Sequence, residues 1–140
     1  MSLDRFCRKP VISAGPTDPI AQVATLMREN HVGTVVIVDG SRRPIGIVTD
    51  RDIACRLAAA GLDPVATPAR AVMTGPAATV LQTGTIEQVS LLMRQRGVRR
   101  LPVVDREDRL VGLVALDDLT TLLVAELGLL VGAVRDNRGP

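Results

Sequence analysis

The sequence predicts a mixed α/β (α+β) fold: two β-α-β-β-α repeats packed sheet to sheet and related by pseudo-two-fold symmetry. Three observations lead there. Sliding the 140-residue chain by 66 positions aligns Phe6–Ile53 on Val72–Leu119 without a gap, and 15 of the 48 pairs are identical, among them Ile20/Ile86, Val23/Val89, Met27/Met93, Gly46/Gly112 and Asp52/Asp118. Repetition at a fixed offset is the signature of a duplicated structural unit. Within each copy, a stretch of helical periodicity is followed by two short apolar runs around a turn signal. Hydrophobic residues make up 46% of the chain and charged residues 23%, which is enough apolar material for a core without covalent staples.

The elements follow in order. A short strand is expected near Val11–Ser13. Asp18 serves as N-cap with Pro19 at the first helical position, and Ile20, Val23, Ala24 and Met27 recur at helical spacing up to about Asn30. Thr34–Val38 is a β-branched run. Asp39-Gly40 marks a turn, and Pro44–Val48 returns antiparallel. Thr49 or Asp50 then caps a second helix, Arg51 to about Ala60, which Gly61 ends. The second copy gives a strand near Ala78–Val80, a helix over Thr85–Arg96, a strand over Leu101–Val104, a turn at Asp105–Asp108, a strand over Leu110–Val114 and a helix from Leu116 onward. Strands this continuously apolar are covered on both faces. The expected boundaries are residues 1–61 for the first repeat, a Pro- and Ala-rich connector over 62–71, residues 72–128 for the second repeat and a tail over 129–140.

Composition narrows the function. Phe6 is the only aromatic residue and the net charge is +2. Single-stranded nucleic acids are held by aromatic stacking and duplexes by concentrated positive charge, so no nucleic-acid partner is expected. The chain has sixteen Arg but a single Lys, Lys9, and a single His, His31. Zinc hydrolase sites and Ser-His-Asp triads need more histidine than that, and no G-x-x-x-x-G-K-[ST] loop is present. The expectation is a binding module and not an enzyme. His31 reads as a helix-terminal residue. Cys7 and Cys55 form neither a disulfide framework nor a C-x-x-C pair. With a polar N-terminal stretch that lacks an apolar signal core, they suggest a cytoplasmic protein. Leu119–Val134 is apolar on more than one face, yet it is short and Glu126 interrupts it, so burial against another surface is expected in place of a membrane span.

Val72-Met73-Thr74, the run Arg100-Leu101-Pro102-Val103-Val104-Asp105 and the stretch Gly46-Ile47-Val48-Thr49-Asp50-Arg51-Asp52, set in a β-α-β-β-α order found twice, resemble CBS domains. The tandem resembles a CBS pair, or Bateman module, of the stand-alone bacterial kind, over roughly Leu3 to Leu127. The resemblance implies a regulatory module that binds an adenosyl ligand (AMP, ADP, ATP, NAD or S-adenosylmethionine) in the cleft between its repeats. It also implies a flat two-fold homodimer that signals to an unidentified regulated protein. The alternative is a ligand-independent protein-interaction module with a degenerate nucleotide site.

The resemblance also points to residues, through the pattern Gly-h-h-[Ser/Thr]-x-x-Asp. Backbone N–H groups at the start of a helix suit a phosphate. Thr49 adds a hydroxyl donor, Arg51 lies beside it, and Asp52 offers two acceptor oxygens to a ribose diol. Arg99 and Arg100 would reach the phosphate with guanidinium forks. Their counterparts in the first repeat, Gly33 and Thr34, are uncharged. Val11, Ile12 and Ser13 are the implied adenine contacts and complete the first site. A second, weaker site comprises Thr34, Thr79 and Asp118, since Ala115 stands where the first repeat has Thr49. No metal ligands are implied. Without the resemblance, Thr49 or Asp50 is simply an N-cap and Asp52 an acidic first-turn residue. Arg99 and Arg100 then read as a solvated basic face, and Val11 and Ile12 as strand packing.

Overall fold

The computed structural model describes residues 3–137. Met1 and the end of the expected tail, 138–140, lie outside the described residues. A 3-10 turn at Leu3–Arg5 leads into β1 (Cys7–Arg8), β2 (Ser13–Ala14), α1 (Ile20–Asn30), β3 (Thr34–Val38), β4 (Pro44–Thr49) and α2 (Asp50–Asp52), which continues as a π-helical segment over Ile53–Ala58. A second 3-10 turn, Ala69–Ala71, precedes β5 (Val80–Leu81), α3 (Ile86–Arg96), β6 (Arg100–Val104), β7 (Leu110–Ala115) and α4 (Leu116–Asp136). One sheet has the order β2-β3-β4 and the other β1-β7-β6-β5.

The duplication is visible down to backbone conformation. Both antiparallel pairs shift register at the same place, between Ile37 and Val38 and between Val103 and Val104. The turns after them hold Arg42 at φ 61° and Asp108 at φ 62°. The first helix of each half ends on a left-handed residue, His31 at φ 53° and Gly97 at φ 64°. His31 therefore sits just past α1 as its cap. The start of α1 differs from the expected one. Pro19 is the N-cap and makes no side-chain bond there. Asp18 instead accepts the Gly15 N–H at 2.7 Å, closing the turn before the helix. Its counterpart helix α3 is capped by Thr85, whose hydroxyl accepts from Gln88 N at 3.2 Å while Gln88 Oε1 accepts from Thr85 N at 3.0 Å, a reciprocal capping box.

The halves exchange their edges. β1, at the start of the first repeat, pairs antiparallel with β7 of the second, Cys7 opposite Val114 and Arg8 opposite Leu113. Reciprocally, Thr74 bridges Ile47 of β4, donating to its carbonyl at 2.8 Å and accepting from its N–H at 3.0 Å. The cores follow the exchange. Leu3 and Phe6 are buried with Val80, Val89, Leu101, Val103 and Val114, and Ala69 and Val72 with Ile20, Val23, Val35, Ile37 and Val48. Packing thus crosses between the halves at their first strands, because a two-residue strand has no periodicity to betray its partner and an open sheet edge chooses it. Small residues make room for the crossing. A Cβ on Gly46 would lie 2.5 Å from Met73 Sδ, and one on Gly112 would lie 2.8 Å from Cys7 Sγ.

Burial raises the Cys7 thiol above its ordinary range, the neighbouring Lys9 opposing it. The hairpin tips of the two halves also meet, Leu110 N donating to Arg42 O at 2.9 Å. α4 buries Leu119 against the second core, with Leu122 packed beside it. Farther along, Leu127, Leu129, Leu130 and Val134 are 57–74% exposed. Among the described residues no helix is long and apolar enough to cross a membrane.

Candidate functional site

Edge exchange decides which residues meet. The strand β4 delivers Thr49, Arg51 and Asp52 to one end of the sheets, and the exchanged segment brings Thr74, Pro76 and Ala78 to the same place. With Arg99, Arg100 and Leu101 from the second half they line a cavity of about 350 Å³. That is inside the range of about 300–1,000 Å³ usual for small-molecule sites. At the pseudo-symmetric position a cleft of only about 100 Å³ is lined by Arg8, Pro10, Val11, Ile12, Thr34, Arg100, Ala115 and Asp118.

Thr49, Arg51, Asp52, Arg99 and Arg100 therefore come together as the sequence suggested. Val11 and Ile12 do not join them. They line the small cleft with Thr34 and Asp118, because β1 carries the segment after it to the β7–α4 junction. Ser13 pairs with Val36 inside the first sheet and lines neither cleft. Thr79, just before β5, also lines neither. The segment that faces Thr49 and Asp52 is the repeat-equivalent one, Pro76–Ala78. The 66-residue offset already paired these residues with Pro10–Ile12, but nothing local said that the pair would change places.

The start of α2 is a capping box. Thr49 Oγ1 accepts from Asp52 N at 3.1 Å, and Asp52 Oδ2 accepts from Thr49 N at 2.9 Å. Capping does not exhaust these groups. The Thr49 hydroxyl accepts there and keeps its own proton to donate. The second Asp52 oxygen, Oδ1, has only a long contact with Thr74 Oγ1 at 3.4 Å and with Arg56 Nε at 3.8 Å. Arg56 in turn donates to the carbonyls of Val72 at 3.2 Å and Met73 at 3.1 Å, tying the exchanged segment to the helix. In the second half Ala115 makes no side-chain cap.

The electrostatics of the larger cleft are one-sided. Three guanidinium groups and one carboxylate, Asp52, line it. Arg99 pairs with Asp117 at 2.6 Å, whereas Arg51 and Arg100 have no ion-pair partner among the described residues. In the small cleft the charges balance: two guanidinium groups, Arg8 and Arg100, face two carboxylates, Asp117 and Asp118. The Asp118 carboxylate is engaged by Arg8, and that hydrogen bond holds the Arg8 guanidinium above its ordinary pKa. Among the described residues no cluster of three or more His, Cys, Asp and Glu side chains could hold a metal ion.

A proline separates the clefts further. In the first half Val36 N donates to Ile12 O at 3.1 Å. The equivalent residue of β6 is Pro102, opposite Leu113, and proline has no N–H to give. The Ala78 carbonyl, at the position of Ile12, is left without that donor beside the larger cleft. Pro102 was the readable signal for this acceptor.

The CBS domain model matches residues 3–59 and 69–125. The chain belongs to the CBS-domain family. Each matched stretch includes the exchanged segment that opens it, so the family unit is defined by order along the chain and not by the packing unit. The CBS pair of this chain is 36% identical over 119 residues to the uncharacterized protein MK0525 of Methanopyrus kandleri, covering 85% of this chain and 61% of that relative's length. The CBS domain pair of protein MJ0100, solved with 5'-methylthioadenosine and S-adenosyl-L-methionine, superposes with a TM-score of 0.79 at 25% identity, over 90% of this chain and 98% of that one. CBS domain protein PAE2072 from Pyrobaculum aerophilum, complexed with AMP, superposes with a TM-score of 0.75 at 32% identity, over 85% of this chain and 90% of that one.

Proposed function

We propose that this CBS pair is a regulatory module that binds an adenosine nucleotide in the larger cleft. The phosphate lies among Thr49, Arg51, Arg99 and Arg100, the ribose diol on Asp52, and the purine against Pro76–Ala78. One observation carries the reading: a capped helix start from one repeat and two unpaired guanidinium groups, Arg51 and Arg100, converge on a single cavity of about 350 Å³. Guanidinium forks match phosphate oxygens in both charge and geometry. The same positive lining disfavours a sulfonium cation, so AMP, ADP, ATP and NAD rank above S-adenosylmethionine. AMP in PAE2072 and S-adenosyl-L-methionine in MJ0100 support the adenosyl class.

Calorimetry with these five compounds on the wild type, Asp52→Ala and Arg100→Ala tests the proposal. A hydrogen bond to a charged group is worth about 1.5–3 kcal/mol, so each variant should weaken a bound nucleotide by roughly 10- to 100-fold. Unchanged affinity in both variants would refute the site. Absence of binding by all five compounds would favour the second reading, a ligand-independent interaction module.

That second reading draws on α4. Leu123, Leu127, Leu130 and Val134 recur at spacings of four, three and four residues, with Leu116 one heptad before Leu123, the pattern of a helix–helix seam, and all are exposed. The two readings share a homodimer formed through α4, whose shape the nucleotide biases by binding one of two states more tightly, with a regulated protein downstream.

A further inference from the structure

The two clefts are built by the same exchange, and one more side chain sets them apart. In the larger cleft the exchanged segment presents Thr74 to the Asp52 carboxylate across 3.4 Å. The residue 66 positions earlier is Arg8, and it stands in the same relation to Asp118, the counterpart of Asp52. Its guanidinium takes both carboxylate oxygens: Nε donates to Oδ2 at 2.9 Å and Nη2 to Oδ1 at 3.1 Å. A ribose diol binds a carboxylate by donating to those same two oxygens. Arg8 also forms part of the wall of the small cleft, which is about 100 Å³ against about 350 Å³ for its partner. In that cleft the Thr34 hydroxyl is buried and has no hydrogen-bond partner among the described residues. Buried hydroxyls are almost always satisfied, so a polar pocket is present there with a group waiting for a partner.

We propose that Arg8 is a built-in competitor, occupying on Asp118 the place of a ribose diol, so that each chain takes one nucleotide and the small cleft becomes a second adenosine-type site only when that guanidinium is withdrawn. The proposal rests on the nucleotide reading of the larger cleft. The Arg8 side chain is 61% exposed, and an exposed pair of this kind contributes at most about 1 kcal/mol, a barrier of about fivefold in affinity. The second site is also the poorer one once open. Ala115 lacks the hydroxyl of Thr49, and the Ile12 carbonyl is already taken by Val36 N–H.

The test replaces Arg8 with the residue its counterpart carries. AMP is titrated calorimetrically into the wild type, Arg8→Thr, and Arg8→Thr combined with Asp118→Asn. The wild type should show one event per chain. Arg8→Thr should add a second event weaker than the first, removal of the competing pair raising the affinity of that cleft by up to about fivefold, and the double variant should lose it. Persistence of the first event in each variant reports that the protein is folded. Two events in the wild type, or a first event with no second in Arg8→Thr, would overturn the competitor while leaving the larger site intact. No event in any of the three proteins would overturn both.

Discussion

Replacing Gly46 by alanine probes the exchanged edge and its hold on the cleft in one step. Gly46 lies on β4 opposite Ile37, three positions before Thr49. A Cβ there meets Met73 Sδ at 2.5 Å, Met73 Cγ at 2.9 Å and Thr74 O at 3.1 Å. The thioether can swing away, but the Thr74 carbonyl is held by Ile47 N–H at 3.0 Å, so the segment over Met73-Thr74 must lift from the sheet. Overpacking of this kind costs about 1–3 kcal/mol. For a domain of this size each kcal/mol lowers Tm by about 3–4 °C, so Gly46→Ala should melt roughly 3–12 °C below the wild type. Met73→Ala removes the two shortest contacts and leaves only the carbonyl. Urea unfolding of the wild type, both single variants and the double variant gives the coupling between the sites. The clash requires a coupling of at least about 1 kcal/mol in the rescuing direction. Additive costs, or a Gly46→Ala protein as stable as the wild type, would show that the exchanged segment does not depend on the missing Cβ. Because Thr74 also contacts Asp52, nucleotide affinity should fall in Gly46→Ala and recover in part in the double variant.

Thr49→Ala should lose about 1 kcal/mol of stability with its helix cap and weaken nucleotide binding about tenfold, while Thr49→Ser restores both. A stability loss with unchanged affinity would reduce Thr49 to a cap. The seam on α4 is tested by Leu127→Asp combined with Leu130→Asp. Sedimentation should shift from dimer to monomer with the far-UV spectrum of the folded body kept, and an unaltered oligomer would remove α4 from the interface.

Much of the architecture was legible because its causes are local. The β-branched run Thr34–Val38 and the helical spacing of Ile20, Val23 and Met27 each reflect one face of one element. The helices α1 and α3 and the four central strands fall within a residue or two of their expected bounds. Duplication strengthened each assignment by stating it twice. Where a side chain had rival local partners, the sequence was silent. Asp18 closes the Gly15 turn instead of capping α1, since a carboxylate three residues from either donor serves both purposes equally. Thr49 and Asp52 were open to two roles, and the capping box turned out compatible with both, because the Thr49 hydroxyl keeps its proton and Asp52 Oδ1 makes only long contacts with Thr74 and Arg56.

The larger departures arise from pairing at long range. Val11 and Ile12 were expected beside Thr49 and lie in the other cleft. Arg8 meets Asp118 across 110 residues of chain. By itself the sequence determined the duplicated unit, its order of strands and helices, and the residue types that gather at the end of β4. Only the tertiary structure decided which copy of each edge segment completes which cleft. Two-residue strands carry no pattern of their own, and the choice falls to whichever sheet edge and glycine gap the folded partner leaves open.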